Sequence, residues 1–412
     1  MMKQILAALF LLPLINSTAI GENWTNWRGP SFNGVATKGD FPTTWNVDQN
    51  ISWKLELPGV GSSTPVVWED NILVTANDGG FNLVICLDRA GKEQWRTQVG
   101  SSRGGKHRKA SGSNPSPITD GEAIYVYYKS GDLAALDFTG KINWVSNIQE
   151  SHGEDTLWWD LGTSPVLTKD SVVIAVMQTG PSFLLAIDKK TGKQRWKSER
   201  NLDAPLEAAQ SYSTPMVIND NGKETLVVLG ADYVTGHDAG DGKELWRVGT
   251  LNPNGEKYWR SIASPVLSDG ILLAPYARGK TLTAIDLTKD KPSVAFTIDG
   301  ICADVPTPIA MNGAAICTTD RGLVTKIDVK TGKQIWQTEL EKARMSFSAS
   351  PILAGNNVYL TREDGATFVV NAENGDLVAK NTLGEEFTVS TPVFADGQIL
   401  VRTMQALYCI GK

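Results

Sequence analysis

The sequence predicts an all-β protein: an eight-bladed β-propeller of four-stranded antiparallel blades, its ring closed by an N-terminal strand. Three observations predict it. The unit IDVKTGKQIW at 327–336 recurs as CLDRAGKEQW (86–95), ALDFTGKINW (135–144), AIDKKTGKQRW (186–196) and GHDAGDGKELW (236–246). A Ser or Thr followed by Pro and an apolar residue recurs eight times, with prolines at 65, 117, 165, 215, 265, 308, 351 and 392. Their separations of 41 to 52 residues match the period of four-stranded blades around a central channel. Finally, the two ends of the chain are complementary. The eighth unit, TPVFADGQILVRTMQALYCIGK, stops after its third strand, whereas Ile51 to Leu57 reads as an outer Trp strand with no turn before it.

Each element of the unit has a physical reading. Proline cannot donate to a β ladder, so the strand it opens is an edge strand, placed innermost on the channel. An Asx-Gly pair such as Asp120-Gly121, Asn221-Gly222 or Asp396-Gly397 then turns the chain into an apolar strand. The third strand ends at Asp88, Asp137, Asp188, Asp238, Asp286 or Asp328, whose carboxylate can accept backbone N–H groups of the coming turn. A glycine supplies the positive φ of that turn, and the fourth strand carries Trp95, Trp144, Trp196, Trp246 or Trp336 at a fixed height. Phe296 and Ala379 take this place in units five and seven, and Trp53 takes it in unit eight. Each Trp buries roughly 150–250 Å² against a neighbouring copy, about 4–6 kcal/mol gross, and so reads as a packing post. An open ring would leave two unpaired edges, so closure by 51–57 is required.

The domain organisation follows. Residues 1–19 read as a signal peptide, with Lys3 before the apolar stretch Ile5 to Ile15 and small residues through Ala19. Residues 20–50 form an aromatic, turn-rich segment that either plugs one end of the channel or straps the blades, the strap being preferred. Residues 51–412 are the propeller. No cysteine lies near the cleavage point, so the expectation is an exported chain, periplasmic or extracellular, without a lipid anchor or transmembrane segment.

With 39 Gly, 13 Trp and a net charge of −6, the composition suits a large all-β domain and argues against a nucleic-acid partner. Cys86 and Cys409 occupy equivalent places in units one and eight and read as buried packing residues. Cys302 and Cys317 share a blade and are expected not to bridge. There is no CxxC and no His or Cys cluster at metal-ligand spacing, so no metal is expected.

Loops joining one blade to the next gather around the channel mouth and are the least repetitive parts of the chain. They offer Arg103, His107 and Arg108, then Trp159 and Asp160, then Tyr212, then Trp259 and Arg260, then Asp304, then Arg344. Arginines suit carboxylate or sulfate groups, and aromatic faces suit sugar rings or a flat cofactor. No Ser-His-Asp or Cys-His arrangement follows from the spacing, so catalytic residues are not assigned.

The repeat A-x-D-x-x-T-G-K-x-x-W with its S-P-V strands resembles the pyrroloquinoline-quinone (PQQ) propeller repeat. That repeat is shared by PQQ-dependent alcohol dehydrogenases and by BamB, a propeller that assists outer-membrane β-barrel assembly. The opening WTNWRGPSFNG and the ending LYCIGK look like secreted PQQ-like propellers of environmental bacteria. The dehydrogenases carry adjacent cysteines over the quinone. No two cysteines are adjacent here, so no cofactor is predicted; PQQ stays open as a cofactor, without the support of adjacent cysteines. The resemblance and the loops together favour a binding module for a protein partner or an anionic or sugar-like ligand. An oxidoreductase or a carbohydrate-active enzyme using the same mouth is the alternative.

Overall fold

The structure is a computed structural model and describes residues 22–411; the expected signal peptide lies outside them. Eight sheets follow one another along the chain, seven of them built from four consecutive antiparallel strands. Blade one comprises Val66–Trp68, Asn71–Asp78, Phe81–Leu87 and Glu93–Ser101, from the channel outwards. Blade eight has Val393–Ala395, Gln398–Arg402 and Ala406–Ile410, and takes its outer strand from Ile51–Glu56. The two chain ends pair antiparallel, with Trp53 opposite Cys409, as Trp95 stands opposite Cys86 in blade one.

Burial explains the strand patterns. Middle strands such as Phe183–Asp188 are covered on both faces by neighbouring blades and are almost wholly apolar. Outer strands alternate, as Ile51–Glu56 does, because one face meets water. The Asp turns form as their chemistry requires. Asp88 accepts from the N–H groups of Ala90 and Lys92, and Asp188 from the N–H and hydroxyl of Thr191. In Asp137, Asp188, Asp286 and Asp328 the threonine hydroxyl holds the carboxyl below the usual carboxylate range.

The Trp posts join consecutive blades. The indole N–H of Trp95 donates to Phe138 O of blade two at 2.9 Å, and its ring covers Gly140. Trp144 does the same to Lys189 O and Gly192, Trp196 to Ala239 O and Gly242, and Trp336 to Ala372 O and Gly375. Trp53 donates to Arg89 O and covers Gly91 of blade one, so the ring closes with the joint used elsewhere. Phe296 stands over Gly332 in the same way. Trp246 departs from the pattern, because the blade-five turn after Asp286 contains no glycine. It packs near Leu287 and lies over Gly236 of its own blade, where blades three and five carry Ala186 and Ala284.

The segment before residue 51 corrects the preference for a simple strap. Trp24 does pack on the blades, exchanging backbone hydrogen bonds with Val67. The chain then crosses the channel end: Arg28 donates to Pro308 O and Pro351 O, and Val35–Ala36 adds a parallel pairing to Ile352–Ala354. It is a strap and a plug at once. All four cysteines are buried and unbridged.

Candidate binding site at the channel mouth

The plug closes the channel at the end of the strand-joining turns. The interblade loops surround the other end, so the channel becomes a funnel of about 570 Å³ with Trp27 among its lining residues. The Ser or Thr before each proline lines it: Thr64, Ser116, Ser164, Thr214, Ser264, Thr307, Ser350 and Thr391. These residues form a collar. The backbone N–H of each donates to the hydroxyl of the next blade's residue at 2.9–3.2 Å, for seven steps from Thr64 round to Thr391. Across the seam between blades eight and one, Ser390 Oγ donates to Ser63 O, and the buried Arg402 donates to Ser63 and to Thr75 O. The sequence displayed these hydroxyls in all eight units without showing their use, since each bond reaches 41 to 52 residues along the chain.

Above the collar stand several residues expected at the mouth. His107, Arg108, Trp159, Asp160, Tyr212, Arg260 and Asp304 all line the funnel. Arg260 is nine-tenths buried; its Nη2 donates to Asp304 Oδ2 at 2.8 Å and its Nε lies 3.5 Å from Glu207. Nε and Nη1 of Arg260 and Oδ1 of Asp304 have no hydrogen-bond partner among the described residues. Burial pushes the Asp304 carboxyl up, and the neighbouring Arg260 only partly offsets this. The Tyr212 hydroxyl donates to Gln210 Oε1 and accepts from Trp159 N.

Asp160 has another use than an open mouth residue would. Its carboxylate accepts from the N–H groups of Lys106 and His107 and pairs with the buried Lys129. It therefore anchors the cationic loop rather than facing a ligand. Three other expected residues lie off the funnel lining. Arg103 pairs with Gln149 and Glu154, Trp259 packs in the blade-four and blade-five core beneath Lys280, and Arg344 is exposed. Lys109, Glu207 and Glu363 were missed. Lys109 lines the funnel and pairs with the buried Glu363, while Glu207 takes the indole N–H of Trp159 at 2.8 Å.

The rim also carries an apolar arc. Trp158, Trp159, Leu206 and Tyr258 are 44–53 % exposed and belong to three successive loops. The Trp159–Glu207 bond joins the first two loops, and Ala208 N donating to Lys257 O at 3.1 Å joins the second to the third. Among the described residues no group of three or more His, Cys, Asp or Glu is placed to hold a metal ion.

Eight four-stranded blades, the Asp-Gly-Trp joints and the funnel define an eight-bladed propeller of the PQQ-repeat class. The chain belongs to the family described as outer membrane protein assembly factor BamB, whose model matches residues 35–214, 81–274 and 230–412. Curated relatives carry the same name. The protein from Burkholderia pseudomallei is 23% identical over 371 residues, covering 88% of this chain and 87% of that one. The protein from Moranella endobia is 24% identical over 337 residues, 78% of each. A match to the Yersinia pestis protein is 35% identical but spans only 107 residues, 27% of that relative. Among solved structures, BamB from Moraxella catarrhalis superposes with a TM-score of 0.64 at 16% identity, covering 87% of this chain and 98% of that one. A europium-containing methanol dehydrogenase gives 0.71 at 11% identity, covering 95% and 98%. At such identities the likeness is one of fold.

Proposed function

We propose that the protein is an exported binding module whose funnel mouth receives a protein partner. The observation that carries this is the arc of Trp158, Trp159, Leu206 and Tyr258, exposed together on three hydrogen-bonded loops. Contiguous apolar surface rimmed by charge marks a docking site, and Trp and Tyr are the side chains that most often carry binding energy there. The family name supports a partner engaged in outer membrane protein assembly. An exported location accords with that name, and no helix among the described residues is long and apolar enough to cross a membrane.

The alternative is a quinone oxidoreductase, favoured by the dehydrogenase fold likeness. None of the four cysteines lines the funnel, and no two are adjacent, so the chain offers no cysteine clamp for the quinone. The test is photo-crosslinking in the host cell, with a photoreactive residue at Trp158 or Tyr258 and, as control, at the exposed Gln334 of an outer strand. Discrete adducts with outer-membrane proteins or their assembly machinery, from the rim positions alone, are expected. Equal crosslinking from Gln334, or none from the rim, would remove the docking surface.

A further inference from the structure

The hydroxyl collar poses an accounting question. Each Ser or Thr oxygen from Ser116 round to Thr391 accepts a backbone N–H from the preceding blade. A hydroxyl has one proton as well as its lone pairs, and a donor without an acceptor is costly to bury. None of these hydroxyls donates to an acceptor among the described residues, and all line the funnel. The throat therefore presents a ring of O–H donors to its axis.

A guanidinium lies directly beneath the collar. Arg28 is fully buried, and Nη1 and Nη2 reach the carbonyls of Pro351 and Pro308, one residue beyond the collar hydroxyls of blades seven and six, at 2.8 and 2.7 Å. Its bonds go only to backbone carbonyls, so no carboxylate neutralises it. One level above, Arg260 keeps Nε and Nη1 without a hydrogen-bond partner while nine-tenths buried. The carboxylates in the lining sit at loop level, above the collar. Asp160 is spent on Lys129 and the loop, Asp304 is paired with Arg260, Glu207 lies 3.5 Å from Arg260 Nε, and Asp320 lines the funnel.

We infer that the throat is an anion seat: a small ligand enters from the mouth and places a carboxylate, sulfate or phosphate group against the collar, with Arg260 beside it and Arg28 beneath. A ring of free O–H donors and two buried guanidinium groups complement an acceptor-only group. A neutral sugar brings no negative charge for Arg260 and Arg28 to meet. The seat rests on the reading of the funnel as a binding site but not on the protein partner, because it lies below the rim.

The experiment titrates the purified mature chain with phosphate, sulfate and glucuronate at constant ionic strength, with glucose as the neutral control. Heat of binding and thermal stabilisation are both followed, and crystals soaked in selenate locate the site by anomalous scattering. Saturable single-site binding of at least one anion, little response to glucose, and a selenium peak inside the collar are expected. Losing one charge-assisted donor weakens binding about tenfold or more, so Arg260→Gln combined with Asp304→Asn, which keeps the local charge balanced, lowers the anion affinity by that factor. Thr307→Val lowers it too and Thr307→Ser restores it, with melting temperatures showing that each variant folds. Glucose binding as well as glucuronate, a response that follows ionic strength alone, or a selenium peak outside the collar overturns the seat. Rim crosslinks persisting in that case would leave the docking surface standing.

Discussion

Thr307 Oγ1 accepts the N–H of Ser264 at 2.9 Å, and valine has its shape without its lone pairs. Thr307→Val strands a buried N–H, and the cost expected is about 1–3 kcal/mol, whereas Thr307→Ser is near neutral. Urea unfolding of the two variants checks this; equal stabilities would deny the collar its structural role. His237 gives a second test at this scale. Its ring nitrogens meet Thr235 Oγ1 and Gly242 O, and burial pulls its pKa below the usual 6.5. The unfolded chain thus takes up a proton that the native chain refuses. The stabilising contribution is complete above the unfolded pKa of about 6.5 and is lost as pH falls through the lower native value. Arg200, Glu244 and Arg247 share this surrounding, and the two guanidinium groups stay charged throughout that window. Melting curves between pH 8 and 5 should therefore show a loss in the parent protein that His237→Gln lacks.

Among the elements, the Asp-Gly-Trp unit was the most legible, because its residues recur at fixed spacing and each has a local reason to be there. The sequence pointed to a Trp packed on a neighbouring copy. The cushion, the next blade's turn glycine, emerges only when the blades are side by side. Trp246 shows how far the pattern holds: where blade five lacks that glycine, the indole moves onto Gly236, and a Cβ there would lie 2.1 Å from Trp246 Cε2. Gly236→Ala is expected to destabilise by about 1–3 kcal/mol although alanine is the residue of blades three and five at this position. Gly192→Ala should cost as much by the other route, since Gly192 has φ of +69° and faces Trp144. Thermal denaturation of both variants decides, and an unchanged Gly236→Ala would mean that Trp246 has room to move. The mouth loops were less legible because they do not repeat. Asp160 read as a candidate mouth residue, since nothing in its surroundings along the chain points to Lys129, 31 residues earlier, as its buried partner. Arg103, Trp259 and Arg344 lay in the right loops, but loop membership does not fix which way a side chain turns.

For the molecule as a whole, the last sheet is completed by a strand that is remote in sequence from it. Ile51–Glu56 pairs with Ala406–Ile410, and Trp53 adds the joint onto blade one through Arg89 O and Gly91. The other blades follow one another along the chain, so the seam is the place where the fold can open. A chain beginning at residue 58 would keep eight inner strands but lose the plug together with the closing strand, expose the edge of Ala406–Ile410 and leave the Gly91 turn uncovered. Because blades meet face to face like units of a closed array, the loss is expected to loosen blade eight first and then expose its edge to other copies. Light scattering after size exclusion should show concentration-dependent oligomers for the shortened chain and a monodisperse species for the longer one. A synthetic peptide covering 50–57 should reverse the effect by adding its strand back, since an extended peptide recovers both the ladder and the Trp joint. Trp53→Ala in the full chain separates the two contributions: it keeps the ladder, so it should lower stability by about 3–5 kcal/mol without producing oligomers. A shortened chain that stays monodisperse and melts like the parent would show that the seam contacts of Ser390 and Arg402 with Ser63 and Thr75 hold the ring without the closing strand.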